Sequence, residues 1–106
     1  RLDVKGKILS RLGYKPDKPS ILLYHEPKDL EAAQEAGIDL QLSGHTHGGQ
    51  MFPFNLVAKM LYRGFSGGFY RFKNFSLSVS HGAGTWGPPL RLGSRSEISL
   101  IKLLKA

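Results

Sequence analysis

The chain has 106 residues, close to the usual size of one domain, enough for a single core that buries about 65% of the surface the unfolded chain would expose. It contains no cysteine, which excludes disulfides, thiolate metal sites and a cysteine nucleophile, so any metal must be held by nitrogen and oxygen. A formal net charge of +7 favours anionic partners such as phosphoesters, acidic lipid surfaces or nucleic acid, and no apolar cluster approaches the roughly 20 residues of a membrane-spanning helix.

Residues 1–19 are basic, carry Gly6, Gly13, Pro16 and Pro19, and read as a connecting segment with one or two helical turns around Ile8, Leu9 and Leu12. The chain starts at Arg1 with neither an initiator Met nor the apolar core of a signal peptide, and is expected to be a piece of a longer protein. SILLYH, bounded by Pro19 and Pro27, is a continuous apolar run suited to a strand covered on both faces, ending at His25. Beyond Pro27 a short helix over about 29–36 is expected, capped by the Asp29 carboxylate and stopped by a left-handed Gly37.

IDLQLSGH alternates, with Ile38, Leu40 and Leu42 on one side, and leads as a strand into His45. Strand, helix and strand in this order form a parallel crossover unit, in which ligands sit beyond the carboxyl ends of the strands. The connection 51–68, around FNLVAKMLYRGF, should include a helical turn or two. GFYRFK and FSLSVS are expected to pair as a hairpin about Lys73 and Asn74, with Phe75, Leu77 and Val79 on one face. HGAGTWGPPLRLG is a glycine- and proline-rich loop, and SEISLIKLL reads as a last strand.

The two parallel strand ends would bring His25 together with His45 and His47. In an extended segment His45 and His47 face the same way about 7 Å apart, which suits one metal or two neighbouring ones. Gly44, Gly48 and Gly49 lack Cβ atoms, so a metal-bound phosphate can come close to the main chain, which makes Gly48 a candidate substrate contact. Imidazole serves as a ligand when a further group fixes its tautomer, so acceptors are expected nearby. His81 also follows a strand into a glycine loop, but nothing pairs with it in the sequence.

LLYHEP, GHTHGGQ and GAGTWGPPLRLGSRSEI together resemble the carboxyl-terminal part of the calcineurin-like metallophosphoesterases, in particular the bacterial membrane-associated phosphohydrolase branch. The resemblance runs from about Ile21 to Leu103. It implies an α/β fold, part of an αββα sandwich of mixed sheets flanked by helices, and a two-metal phosphomonoesterase or phosphodiesterase. It implies that His25 and His45 bind one divalent ion and His47 the other, the ions being Mn, Fe or Zn. Such enzymes also use an Asp-x-His, a Gly-Asp-x-x-Asp and a Gly-Asn-His-Glu or Asp, none of which occurs here. Asp3, Asp17, Asp29 and Asp39 stand in other contexts, and neither Asn55 nor Asn74 precedes a His. All 106 residues are therefore expected to be the carboxyl-terminal portion of one such domain, silent alone because neutral imidazoles cannot offset two close divalent cations.

The expected substrate is a phosphoester of phospholipid or nucleotide type. Phe52, Phe54, Leu56, Val57, Met60 and Leu61, mixed with Lys59 and Arg63, suggest peripheral contact with a lipid layer, and Arg91 or Arg95 in the second loop is a candidate to pair a phosphate oxygen. An isolated chain should self-associate or stay with its missing amino-terminal half, the parent being membrane-associated or cytoplasmic in a bacterium. Two other classes remain open: a non-catalytic metal-binding or interaction domain of the same fold, and a basic nucleic-acid module built on FYRFKNF. Nucleic acid is the less expected partner, because those aromatics alternate as core positions do.

Overall fold

The structure, a computed structural model, describes residues 11–104. Of the helical turns expected around Ile8, Leu9 and Leu12, the part at Ile8 and Leu9 lies outside these residues. Four strands, β1 (Ile21–Leu23), β2 (Leu40–Ser43), β3 (Gly68–Arg71) and β4 (Ser76–Val79), form one mixed sheet in the order β1-β2-β4-β3. The helices are α1 (Leu30–Glu35) and α2 (Phe54–Leu61), with a short 3-10 turn at His47–Gly49 between β2 and α2. The expected α/β class holds.

The crossover unit forms as its periodicity requires: β1 runs parallel to β2, with Ile21 opposite Leu40. Ser20 and Asp39 lock its start, the Ser20 N–H and hydroxyl both donating to Asp39 Oδ2 at 2.8 and 3.1 Å while the Asp39 N–H donates to Ser20 Oγ. At the end of α1, Gly37 is left-handed with φ 80°, and the Ile38 and Gly37 N–H groups return to the carbonyls of Ala33 and Gln34. The Tyr14 hydroxyl satisfies a further carbonyl there, donating to Ala36 O at 2.7 Å. The start of α1 departs from expectation. Asp29 is itself left-handed, φ 55°, and its carboxylate accepts from the Tyr24 hydroxyl at 3.1 Å instead of capping the helix.

β2 pairs on its other side with β4, also parallel, and β4 pairs antiparallel with β3. The expected hairpin closes through the Phe72 N–H to Phe75 O bond of 2.8 Å, leaving Lys73 and Asn74 at the tip. The alternation Phe75, Leu77, Val79 becomes the centre of the core, joined by Ile38 and by Ala33 of α1. On β2 the residues in register with that stripe are polar yet buried: Gln41, beside Leu77, is fully enclosed and donates to Ser43 Oγ and Lys28 O.

Two strand expectations change. β1 is an edge strand, not one covered on both faces: Ile21 and Leu23 are exposed, as suits an edge whose covering is not among the described residues. The SEISLIKLL segment makes no strand within the described residues. Its main chain is joined through the Glu97 N–H to Gly82 O, and Ile98 and Leu100 stand in solvent.

Because Leu77 is wholly buried and Leu100 is 96% exposed, the two substitutions to Ala should differ sharply. Leu77→Ala is expected to cost about 2–5 kcal/mol in urea unfolding and Leu100→Ala less than about 0.5 kcal/mol. Equal losses would displace Leu77 from the centre of the core.

Candidate metal centre

Parallel pairing continues one step past the strand ends, where the Tyr24 N–H donates to Leu42 O and the Gly44 N–H donates to His25 O at 2.9 Å. His25 is thereby fixed beside the Gly44 turn. His45 then takes a left-handed conformation, φ 68°, with the Thr46 N–H bonded back to Gly44 O. That reversal swings its ring toward the neighbouring strand. His25 Nε2 and His45 Nδ1 come to 2.8 Å, their rings edge to face at 81°.

One of two neutral imidazoles at that distance must be the donor and the other the acceptor. His45 Nε2 lies 3.5 Å from Glu26 Oε1, so the carboxylate favours the tautomer with the proton on Nε2 and leaves Nδ1 a lone pair aimed at the shared point. The Lys28 ammonium, 2.5 Å from Glu26 Oε2, holds the Glu26 carboxyl below the usual carboxylate range. Tyr62 meets the His45 ring edge on, and burial pushes its phenol up, the Glu26 charge adding to the shift. Neither Glu26 nor Tyr62 was singled out by the sequence. Glu26 follows the strand-end histidine directly, a signal that was there to use; Tyr62 arrives from the end of α2 without one.

His47 behaves differently. The 45–50 segment is not extended: His45, His47 and Gln50 are left-handed along with Gly48 and Gly49, so two histidines two apart do not share a face as strand spacing would have them. Left-handed non-glycine residues in such a run are costly and concentrate at functional sites. His47 Nδ1 is buried without a hydrogen-bond partner, a nitrogen left free to ligate. Among the described residues no three of His, Asp and Glu gather closely enough to hold an ion unaided. The nitrogens of His25, His45 and His47 are of a kind that suits a divalent ion, and the described residues do not complete a site by themselves.

The loop is anchored from behind. Thr46, buried, donates to Ser66 O at 2.6 Å and accepts from the Gly48 N–H. Gln50, also buried, clasps the 81–95 loop through Trp86 O, Pro88 O and the Trp86 N–H, while the Phe52 and Leu92 amides exchange further bonds with Leu92 and Gln50 carbonyls. Gly48 spends its amide on Thr46, and a Cβ there would press on His81 Nε2 at 3.0 Å. His81, at the end of β4, faces Glu97 Oε2 at 3.6 Å. Arg91 turns its guanidinium to main-chain oxygens of the loops, His47 O among them at 3.1 Å.

The chain is 46% identical over 88 residues to an uncharacterized metallophosphoesterase of Helicobacter pylori (strain ATCC 700392 / 26695), covering 82% of this chain and 24% of that protein. It is 49% identical over 87 residues to an uncharacterized metallophosphoesterase of Campylobacter jejuni, covering 81% and 23%. The chain belongs to the metallophosphoesterase family. A transmembrane protein with metallophosphoesterase domain from Bos taurus is 44% identical to this metallophosphoesterase chain over 96 residues, covering 89% and 22%. The chain thus spans about a quarter of the length of these relatives, in their carboxyl-terminal part. No family profile and no solved structure matches it. Membership implies use of divalent metal, which the donor nitrogens suit.

Gly49 is the tightest point of this metallophosphoesterase loop: at φ 75°, a Cβ would lie 2.2 Å from Asn55 Cα and 2.4 Å from Asn55 N. Gly49→Ala is expected to destabilise by more than about 1 kcal/mol, since neither backbone can yield. Gly84→Ala, where a Cβ meets nothing within 4 Å, should stay within about 0.5 kcal/mol in the same thermal unfolding. Equal shifts would mean that the seat of α2 against the loop is not rigid.

Proposed function

We propose that the chain supplies the imidazole ligands of a two-metal phosphomonoesterase or phosphodiesterase and works with an acidic half located elsewhere in the same protein. The observation that carries this reading is the 2.8 Å approach of His25 Nε2 to His45 Nδ1 at adjoining parallel strand ends. In this reading His25 and His45 hold one ion and His47 the second, with Mn, Fe and Zn all compatible with nitrogen and oxygen donors. Divalent ions held there lower the pKa of coordinated water and neutralise charge on a phosphate. Glu26 orients His45, and the left-handed loop keeps His47 in place.

Two hollows lie near the histidine turn. One, about 520 Å³, is lined by Tyr24, Glu26, Lys28, Tyr62 and Arg63. The other, about 280 Å³, reaches His45 and Thr46 between apolar walls that include Phe54, Val57, Leu61 and Trp86. An apolar hollow next to the metal position supports a phosphoester with an apolar alcohol, of phospholipid rather than nucleotide type. On α2, Phe54, Leu56 and Met60 are exposed on the same helix as Lys59, which supports peripheral contact with an anionic lipid layer. Relatives from Bos taurus and Danio rerio carry the name transmembrane protein with metallophosphoesterase domain, whereas no helix among the residues described here is long and apolar enough to cross a membrane.

The test is manganese-dependent hydrolysis of a chromogenic phosphodiester and phosphomonoester by the full-length protein and by this chain. Turnover is expected only in the full-length protein, with His47→Ala losing more than the roughly 10–100-fold that removal of a ligand's outer partner costs. Activity in neither would favour a non-catalytic domain, and robust activity in this chain alone would contradict the ligand assignment. Replacing Phe54 and Leu56 with Ser should weaken binding of the full-length protein to anionic liposomes; unchanged binding would remove the lipid contact.

A further inference from the structure

Arg91 occupies a position where a phosphate-binding arginine would be looked for, in a loop beside the histidine motif, yet both terminal nitrogens of its guanidinium are engaged by the protein itself. Nη1 donates to His47 O at 3.1 Å, Ser94 Oγ at 3.2 Å and Arg95 O at 3.4 Å. Nη2 donates to His81 O at 3.0 Å, to Gly82 O at 3.1 Å and, in a short contact, to Gly84 O. Nε is buried without a hydrogen-bond partner. Both terminal nitrogens face carbonyl and hydroxyl oxygens, and no edge of the fork remains for an anion.

Those partners come from two loops. His47 belongs to the turn after β2, while His81, Gly82 and Gly84 belong to the turn after β4. One planar fork bridges them, which an ammonium with three protons at a single point cannot do to the same extent. The His47 carbonyl is the useful one. His47 is a left-handed non-glycine residue, φ 47°, and its own Nδ1 has no partner, so the ring is not held by a hydrogen bond at that nitrogen. Fixing the direction of its carbonyl fixes the peptide plane that follows, and with it the unusual backbone from which the ring projects. Packing behind the same turn is set by His81, which lies against the α-carbons of Gly48 and Gly67 so closely that neither position admits a side chain without displacing it.

We propose that Arg91 is a positioning residue for His47, holding the second-ion histidine in its left-handed conformation by clamping two loops together, and that it does not bind the substrate phosphate. The proposal rests on the reading of the site as a metal centre. It predicts a particular kinetic signature. Loss of a positioning residue weakens metal retention and is repaired by more metal, whereas loss of a phosphate contact raises KM and the inhibition constant of phosphate at any metal concentration.

The experiment compares wild type, His47→Ala, Arg91→Ala and Arg91→Lys in the full-length protein. It reads bound manganese by elemental analysis after dialysis, manganese affinity by calorimetry, and kcat, KM and inhibition by inorganic phosphate across a manganese titration. Arg91→Ala is expected to bind the weaker of two manganese ions roughly 10–100-fold less tightly. Added manganese should restore kcat, with KM and phosphate inhibition as in wild type, and Arg91→Lys should fall between. If Arg91→Ala fails to fold by circular dichroism, Arg91→Lys carries the same test, because it keeps a charge but not the bridge. Wild-type metal affinity combined with raised KM and weakened phosphate inhibition would overturn the proposal in favour of direct contact, and unchanged metal affinity and kinetics would overturn it outright. His47→Ala separates the two levels: if it keeps both ions, the metal-centre reading itself fails, whereas if it loses one while the Arg91 variants do not, only the role of Arg91 fails.

Discussion

Parallel pairing of β1 with β2 sets the position of everything chemically notable in the chain. A parallel ladder ends both strands at the same edge of the sheet, so whatever follows Leu23 and Ser43 must meet there. The ladder runs on through the Gly44 N–H to His25 O bond, and the left-handed turn at His45 then points its ring back at His25. Without the parallel register the two imidazoles would lie on different edges. Without the reversal at His45 they would point apart.

The sheet continues this logic to β4, also parallel to β2, which delivers His81 and its loop to the same edge. There the side chains do structural work. Gln50 and Arg91 fasten the 81–95 loop to the histidine turn through main-chain groups, so that turn is held from behind by partly buried polar bonds. Such bonds fix direction as well as distance, which a turn of left-handed residues needs and a greasy contact does not provide. Strain in the run of left-handed residues is tolerable only because so many bonds over-determine it.

Much of this was legible in the sequence. The period-two alternation of IDLQLS, the Phe75, Leu77 and Val79 stripe and the stop at Gly37 all follow from local rules, and they suffice to place His25 and His45 at neighbouring strand ends. What was not legible depends on long-range partners. Asp29 caps nothing because the Tyr24 hydroxyl, five residues back, claims its carboxylate. The 96–104 segment has strand composition but no ladder to join among the described residues, and β1 has apolar residues but lies at an edge. The strand-like spacing of His45 and His47 misled because three non-glycine residues in the 45–50 segment take positive φ, a choice that composition does not announce. The partners of Arg91 were hidden for the same reason: a charge in a loop says nothing of the carbonyls around it. Membership in the metallophosphoesterase family, carried by the quoted motifs, agrees with the relatives at 44–49% identity, all of which extend well beyond this chain.

The central claim is that two imidazoles already in contact, and a third held nearby by its loop, are the nitrogen half of a two-metal site. It is tested most directly by anomalous diffraction from crystals of the full-length protein grown with manganese. The account predicts two peaks, one within bonding distance of both His25 Nε2 and His45 Nδ1 and the other on His47, with carboxylates from outside this chain completing each. A structure in which His25 and His45 keep their mutual hydrogen bond while manganese binds elsewhere, or nowhere, would contradict it.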